Sequence, residues 1–350
     1  MRWLVTGANG FLGRSVVSQA LARGHQVRAL VRPTADVAPL GWADKPNVQI
    51  VRADLRSRHS LVEALADVDL VLHLAAAKQG DLYAQLAATV VATENLLDAM
   101  TAANVQRLVA ISSFAVYDYL GRRSWSRIDE QSPLEPRPER RDEYCRTKML
   151  QEQLIRDHAR AHGWALSILR PGVIYGPDNG WTARLGMKIS DRLYLRTGAW
   201  AQLPLTYVEN CALAVVLAAE QISVGERVFN VVDNDRPTQR RYLNELRKRM
   251  SLRPRVIPIS WSLMRLLARL AWLTNYVVFR SRAKLPGILI PARLHARCKP
   301  MRYSNRCIKD ALGWQPQFGL AEALSQSFGD QRARSASEDQ ERASHLAQPI

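Results

Sequence analysis

The sequence predicts an α/β fold in which a doubly wound parallel sheet is joined to a smaller C-terminal lobe. In the first 176 residues, short runs of Val, Ile and Leu alternate with helix-length segments. These runs are apolar on both faces, which is typical of parallel strands covered by helices. A glycine-rich turn, VTGANGFLG, ends the first run directly. The 350 residues suffice for one large domain or for one domain with a second lobe.

The order of the elements sets the expected domain boundaries. Strands are predicted at RWLVTG, QVRALVR, NVQIVRADL, VDLVLHLAAA, VQRLVAISS and ALSILRPGVIYG, and helices at GRSVVSQALARG, SLVEALADV and ATVVATENLLDAMTAANV. The later TYVENCALAVVLAAEQISVGERVFNVVD predicts a helix and a strand that rejoins the sheet. We therefore expect one domain from 1–176 plus about 205–235, and a second lobe from about 177–204 and 236–328. The polar segment 329–350 is expected to be disordered.

Composition excludes several classes of protein. Four scattered cysteines form no CxxC pair, so neither a disulfide framework nor a metal site is expected. No basic and apolar leader precedes the first strand, which indicates a cytoplasmic protein. The net charge is +17, and between Arg240 and Asp310 there are 18 Lys or Arg against only Glu245 and Asp310. Such a basic surface predicts an anionic partner. The sequence contains no recognised nucleic-acid-binding module, so a nucleic acid is not the expected partner.

The glycines of the first turn have the spacing of a dinucleotide-binding site of the Rossmann type. Gly7, Gly10 and Gly13 lie between a predicted strand and a predicted helix. Gly7 would allow the tight turn, Gly10 would let a pyrophosphate approach the helix N-terminus, and Gly13 would let the helix pack closely on the strand. A plain connecting turn is the alternative interpretation.

The end of the second predicted strand bears on the choice of cofactor. An NAD site usually places an acidic residue there to bind the ribose 2′-hydroxyl, whereas this sequence has Arg32. A guanidinium suits the 2′-phosphate of NADP, so NADP(H) is favoured; NAD(H) remains the alternative if Arg32 is only a solvated strand end. Asp54, at the end of the third strand, is placed to meet the adenine side of the cofactor.

A second motif predicts a proton-transfer site. Tyr144 and Lys148 lie four residues apart on a predicted helix and therefore project from one face. A nearby cation stabilises the phenolate, which lowers the pKa of the tyrosine and lets it exchange a proton near neutral pH. Ser113, at the end of the fifth strand, supplies a hydroxyl for the substrate oxygen. A Tyr-x-x-x-Lys by itself also occurs by chance, with a half-buried tyrosine and a solvated lysine.

Together these motifs resemble the extended short-chain dehydrogenase/reductase superfamily, in particular its NAD-dependent epimerase/dehydratase group and the 3β-hydroxysteroid dehydrogenase-like relatives. The resemblance covers about residues 1–325. It is most specific at TGANGFLG, HLAA, ISSFAVY, YCRTK, LRPGVIYGP and TYVEN.

The resemblance implies roles for individual residues. Tyr144 would be the acid/base, Lys148 would hold the nicotinamide ribose and lower the pKa of the tyrosine, and Ser113 would orient the carbonyl or hydroxyl. His73 would pack within its strand and would not be a base. Cofactor contacts are implied for Gly7, Asn9, Gly10, Phe11, Leu12, Gly13, Arg32, Asp54, Leu55, Ala75, Ala76, Lys148, Pro171 and Gly172.

Some departures from the family pattern are informative. Phe114 and Ala115 stand where 4,6-dehydratases carry an Asp-Glu pair, which disfavours sugar 4,6-dehydration. Thr89 stands where the family often has Asn, so a proton relay through that Asn would be altered here.

Residues 261–279, WSLMRLLARLAWLTNYVVF, are apolar apart from a narrow stripe that includes Arg265 and Arg269. The arginines interrupt the segment too often for a membrane span, which needs about 20 mostly apolar residues. Two interpretations remain, a core helix of the second lobe and an interfacial helix that brings 256–300 to a membrane surface. The second would place the protein at the inner face of the membrane.

Three functions are consistent with the sequence. The first is an NADP(H)-dependent oxidoreductase that interconverts a secondary alcohol and a ketone on a bulky sugar-linked or lipid-like substrate bound by the second lobe. The second is a nucleotide-sugar epimerase that retains its cofactor, and the third is a non-catalytic cofactor-binding protein. Ser113, Tyr144 and Lys148 together argue against the third. Because relatives commonly pair helices into dimers, a homodimer is a further expectation.

Overall fold

The computed structural model describes residues 1–190, 193–198, 200–249, 255–280, 282 and 285–329. The tail expected at 329–350 therefore lies outside the described residues, apart from Gly329.

One parallel sheet organises the first part of the chain, as the sequence predicts. Its seven strands are β1 (Arg2–Thr6), β2 (Gln26–Val31), β3 (Val48–Arg52), β4 (Leu70–His73), β5 (Arg107–Ile111), β7 (Ala165–Pro171) and β12 (Gly225–Val231). Their order is β12-β7-β5-β4-β1-β2-β3, and every pair is parallel. The strand order therefore reverses between β1 and β4, and in such sheets ligands bind outside the carboxyl ends at this reversal.

Helices cover both faces of the sheet. They are α1 (Phe11–Ala22), α2 (His59–Val62), α3 (Leu82–Gln85), α4 (Ala92–Ala102), α5 (Glu143–His162) and α6 (Val208–Glu220). Trp3 and Val5 of β1 join one apolar cluster with α1 and α6, whereas Leu4 joins a second cluster with α4 and α5. Alternate residues of one strand are thus buried on opposite faces, which explains its continuous apolar run. A π-helical turn, Leu86–Val91, leads into α4.

The rest of the described chain forms smaller elements. β9 (Met187–Ser190), β10 (Leu193–Thr197) and β13 (Arg255–Ile259) form a three-stranded sheet, β8 (Val173–Tyr175) pairs with β11 (Leu205–Tyr207), and β6 (Arg127–Ile128) pairs with β14 (Arg302–Tyr303). The remaining helices are α7 (Gln239–Arg249), α8 (Trp261–Val277), α9 (Pro291–Cys298), α10 (Arg306–Leu312) and α11 (Leu320–Phe328).

Helix α8 is not a core helix, because Met264 and Ala268 are its only buried residues. Within the described ranges, no helix has both the length and the hydropathy required to cross a bilayer.

The first glycine turn brings helix and strand into close contact. Gly7 adopts a left-handed conformation (φ 67°), and its carbonyl accepts a 2.9 Å hydrogen bond from the Gly10 amide. A Cβ at Gly13 would stand 2.1 Å from the Gly7 carbonyl oxygen and 2.8 Å from that of Ala8. Only a residue without a side chain therefore permits this approach.

We expect Gly13→Ala to lower the free energy of unfolding by about 3 kcal/mol, the upper end of the usual cost of overpacking, because the methyl group meets rigid backbone. Urea unfolding measures this loss. Gly41→Ala is the matched control, since a Cβ there would meet no atom within 4 Å, and it should change stability by less than about 0.5 kcal/mol. Equal midpoints for the two variants would contradict the close packing.

Candidate active site

The predicted catalytic residues meet at the carboxyl edge of the sheet. Ser113 follows β5 by two residues, and its hydroxyl accepts a 3.1 Å hydrogen bond from the Ala115 amide. Tyr144 and Lys148 lie in the first two turns of α5. The Asp142 carboxylate fixes the start of that helix, because it accepts a 2.8 Å hydrogen bond from the Cys145 amide.

The phenol of Tyr144 faces the Ser113 hydroxyl. Burial raises the pKa of Tyr144, and the hydrogen bond with Ser113 acts in the opposite direction. The tyrosine is therefore protonated at neutral pH in this state and is a proton donor, with a hydroxyl beside it that can hold a second oxygen.

Lys148 is 3% exposed and its ammonium is held by neutral oxygens. Its Nζ donates to the Ile111 carbonyl at 2.7 Å and to the Gln151 side-chain oxygen at 2.8 Å. Burial, with the positive charge of Lys78, lowers the pKa of Lys148 to about 7. The lysine is thus a cation whose proton can be lost near neutral pH.

A buried hydrogen-bond chain extends from Gln151 into the sheet. The Gln151 amide nitrogen donates to the Thr93 hydroxyl at 2.9 Å, and the Thr93 hydroxyl donates to the Thr89 carbonyl. His73 Nε2 lies 2.9 Å from the same Thr93 oxygen, and its Nδ1 lies 2.8 Å from the Thr6 hydroxyl. Sequence reasoning missed Gln151, although it lies seven residues after Tyr144 on the same helical face.

Polar groups surround both ring nitrogens of His73. Nδ1 lies 2.8 Å from the Thr6 hydroxyl, whose oxygen is also within reach of the Leu74 and Ala75 amides at 3.2 and 3.3 Å. Nε2 lies 2.9 Å from the Thr93 hydroxyl and 3.1 Å from the Gln151 amide nitrogen. Burial lowers the pKa of His73 to about 3. Both ring nitrogens are occupied, so this histidine orients its neighbours and is not available as a base.

The N-terminus of α1 lies at the same edge and fits a dinucleotide pyrophosphate. The helix begins without a side-chain cap and without an acidic residue in its first turn. Its first amide groups are therefore available for an anion. The remaining predicted residues of this turn are Asn9, whose carbonyl accepts from Arg14, and Phe11 and Leu12, which start the helix.

Basic groups surround Asp54 at the carboxyl ends of β2 and β3. Arg56 donates two hydrogen bonds to its carboxylate through Nε and a third, at 2.6 Å, through Nη2. Arg56, with the charge of the exposed Arg32, holds the pKa of Asp54 below its usual range. Arg52 donates to the carbonyls of Pro33 and Ala35 and so fixes the turn after Arg32. Arg52 and Arg56 were not anticipated from the sequence.

The other predicted cofactor residues lie in loops at the sheet edge. The loop of Ala75 and Ala76 follows β4, and Ala75 lies against Gly7. Pro171 ends β7, and the Gly172 amide donates to the Val231 carbonyl at 3.0 Å. Leu55 is buried, and its carbonyl accepts from Asn95. These positions surround the reversal point of the sheet, except that Leu55 lies toward β3 with Asp54.

The chain is similar to known proteins in sequence and in fold. The sequence model of the NAD-dependent epimerase/dehydratase family matches residues 3–231. The chain is 32% identical over 281 residues to the 4-hydroxy-2-methyl-3-oxo-4-farnesyl-3,4-dihydroquinoline-1-oxide ketoreductase of Stigmatella aurantiaca, a match that covers 77% of this chain and 79% of that protein.

Two further proteins match most of the chain. It is 27% identical over 358 residues to 3beta-hydroxysteroid-dehydrogenase/decarboxylase isoform 1 of Arabidopsis thaliana, covering 93% of this chain and 79% of that protein. Its fold resembles UDP-glucuronic acid 4-epimerase from Bacillus cereus in complex with NAD, with a TM-score of 0.69, 19% identity, and coverage of 95% and 99%. The last likeness supports the fold alone.

We expect Lys78→Met to raise the pH at which Lys148 loses its proton, because the charge of Lys78 is one cause of its low pKa. In the unaltered protein the Lys148 cation is present below about pH 7 and is lost as pH rises through that value. NMR of ¹³Cε-labelled lysines measures the titration, and Lys148→Gln assigns the resonance. Lys45→Met, on the exposed surface, is the control. An unchanged midpoint in Lys78→Met would contradict the coupling.

Proposed function

We propose a reaction for this protein from one premise: the chain belongs to the NAD-dependent epimerase/dehydratase family. It is therefore an enzyme that works with a nicotinamide cofactor, as an oxidoreductase or an epimerase. Our proposal is an NADP(H)-dependent oxidoreductase that interconverts a secondary alcohol and a ketone on a bulky, lipid-like substrate. The observation that carries it is the meeting of Ser113, Tyr144 and Lys148 beside the glycine turn.

The side chains account for the proton in this reaction. The nicotinamide, when bound, exchanges a hydride with the substrate carbon. The Ser113 hydroxyl orients the substrate oxygen, and the Tyr144 phenol gives it a proton during reduction and takes the proton back during oxidation. The Lys148 cation stabilises the phenolate that reduction leaves behind. Its present partners, a carbonyl and an amide oxygen, can be exchanged for ribose hydroxyls without breaking an ion pair.

Two relatives support a lipid-like substrate. One is named as the ketoreductase of a farnesyl-bearing compound and the other as a 3beta-hydroxysteroid-dehydrogenase/decarboxylase. The second lobe adds the exposed apolar side chains of α8. We therefore favour a lipid-like substrate over a sugar-linked one, and we propose that the enzyme acts at the inner face of a membrane.

A nucleotide-sugar epimerase is the second candidate, because the family includes epimerases and the same three side chains serve that reaction. An epimerase more often retains NAD, whereas Arg32 and Arg56 favour a phosphorylated and exchangeable cofactor. Mass spectrometry of the freshly denatured protein separates the two candidates, since near-stoichiometric NAD would favour the epimerase. A non-catalytic binder has no use for Ser113, Tyr144 and Lys148 together.

We expect Tyr144→Phe to lower kcat/KM by about 10³-fold and to leave NADPH affinity unchanged, because only the proton donor is lost. The assay follows NADPH oxidation with a panel of terpenoid, steroid and long-chain alkyl ketones. Tyr83→Phe, which alters a tyrosine that is 81% exposed, is the control and should retain full activity. Strong residual turnover in Tyr144→Phe would overturn the mechanism, and no turnover of any ketone by the unaltered enzyme would overturn the substrate class.

We expect Arg32→Asp to weaken NADPH binding at least about tenfold more than NADH binding, because the guanidinium would pair with the 2′-phosphate that NADH lacks. Fluorescence titration with each reduced cofactor measures the ratio. Arg240→Asp makes the same charge change on the exposed surface of α7 and should leave the ratio unaltered. An equal loss for both cofactors in Arg32→Asp would refute this role.

A further inference from the structure

Helix α8 exposes a continuous apolar side to solvent. Leu266, Leu270 and Leu273 are 53, 51 and 51% exposed, although leucine is normally buried in a soluble protein. The exposed apolar residues of the helix and its C-terminal extension are Leu263, Leu266, Leu267, Leu270, Trp272, Leu273, Tyr276, Val277, Val278 and Phe279. We call this set the α8 surface. A contiguous patch of this kind marks an interaction site.

The pattern along the helix is the reverse of that of a helix packed on a core. Met264 and Ala268, four residues apart, are its buried residues. At 100° per residue, Leu263, Leu266 and Leu270 lie on the opposite side of the helix. The helix therefore buries two of its residues in the protein and directs most of its apolar surface outward.

Charged and aromatic residues border the α8 surface along one edge. Arg265 and Arg269 lie one turn apart on that edge, next to Trp272 and Tyr276, whose rings stack at 5.7 Å with an interplanar angle of 6°. Trp and Tyr favour the interface between headgroups and acyl chains, and arginine can reach phosphates while its stem stays apolar.

In the sequence around α8, the only charged side chains are positively charged. Residues 246–309 contain 16 Lys or Arg and no Asp or Glu. A second copy of this chain would bring the same basic segment to the contact, and the two would repel each other. An anionic bilayer supplies both the opposite charge and an apolar layer below it.

We propose that the α8 surface docks in the headgroup region of an anionic membrane. Helix α8 would lie in the plane of the interface, with its leucines inserted and with Arg265 and Arg269 on lipid phosphates. This docking is a property of the surface and does not rest on the proposed reaction.

The α8 surface is connected to the catalytic edge by one helix. Met264 and Ala268 pack on Leu294 and Cys298 of α9, and Trp261 packs edge-on against His295. From the same helix, Arg293 donates to the Arg141 carbonyl and lies 3.6 Å from the carboxylate of Glu143, which precedes Tyr144. Where the proposed function holds, a lipid-like substrate would have a short route from the bilayer to Tyr144.

Co-sedimentation with vesicles, without substrate or cofactor, tests the docking. We expect binding to vesicles of phosphatidylcholine with phosphatidylglycerol and little binding to phosphatidylcholine alone. Arg265→Gln/Arg269→Gln should weaken binding to the anionic vesicles roughly 30-fold. Leu266→Glu/Leu270→Glu should weaken it roughly 100-fold. Val224→Glu places one such charge on a residue that is 87% exposed and directly precedes β12, and this variant should bind like the unaltered protein.

Several outcomes would overturn the proposal. They are the absence of binding to anionic vesicles, equal binding by Leu266→Glu/Leu270→Glu, and a dimer that this variant converts to a monomer while no vesicles are bound. The last outcome would make the α8 surface a contact between copies of the chain. Because no turnover is measured, failure of the docking and failure of the proposed reaction are distinguishable.

A second measurement uses the unaltered surface. Lipids brominated on their acyl chains quench a tryptophan that enters the interface. We expect quenching of the unaltered protein on anionic vesicles and loss of that quenching in Trp272→Phe. Equal quenching in the two proteins would show that Trp272 does not enter the bilayer and would overturn the proposed orientation.

Discussion

The approach of α1 to β1 is the constraint on which the rest of the site depends. Because Gly13 has no side chain, the helix can start directly over the Gly7 carbonyl and place its free amides at the reversal point of the sheet. Helix α6 then packs along α1, and the Glu209 carboxylate accepts hydrogen bonds from Ser15 and Gln19. A bulkier residue at Gly13 would displace the helix N-terminus and, with it, the contact between Gly7 and the loop after β4.

The electrostatics of the catalytic edge follow from the way its cation is held. A carboxylate partner would lock Lys148 in an ion pair and raise its pKa. The nearby Glu152 is instead engaged by Arg170 and by the Ser112 hydroxyl, so Lys148 contacts neutral oxygens. Burial therefore keeps the pKa of Lys148 low, and its partners remain exchangeable. Both properties suit the role proposed for Lys148, in which it would hold a ribose hydroxyl and stabilise a phenolate.

The sequence predicts those parts of the site that are encoded locally. The glycine turn and the pair of Tyr144 and Lys148 each lie within a few residues, and the alternating apolar runs predict the parallel sheet. Gln151 also lies on the right face of α5, but its partners His73 and Thr93 are 78 and 58 residues away in sequence. No local sequence pattern specifies such contacts, so only the folded structure shows this buried chain of hydrogen bonds.

The same limit applies to surfaces. Helical periodicity in 261–279 predicts an amphipathic helix but not which side is buried, and both a core helix and an interfacial helix were consistent with it. Packing decides this point, because Met264 and Ala268 are the buried residues of the helix. Likewise, the sequence predicts that Asp54 meets the adenine side of the cofactor, but it does not predict that Arg56, two residues later, binds the Asp54 carboxylate.

The positive charge of the second lobe favours its binding to an anionic surface. A segment with 16 basic residues and no acidic residue repels itself, and this repulsion opposes a compact lobe in isolation. Among the described residues, an ion pair between Arg293 and Glu143 links this segment to the start of α5, next to Tyr144. On the proposed docking, lipid phosphates would neutralise the remaining arginines and relieve the repulsion in the lobe that borders Tyr144. The apolar side of α8 and the charge around it would thus act on the same surface, one by insertion and the other by attraction.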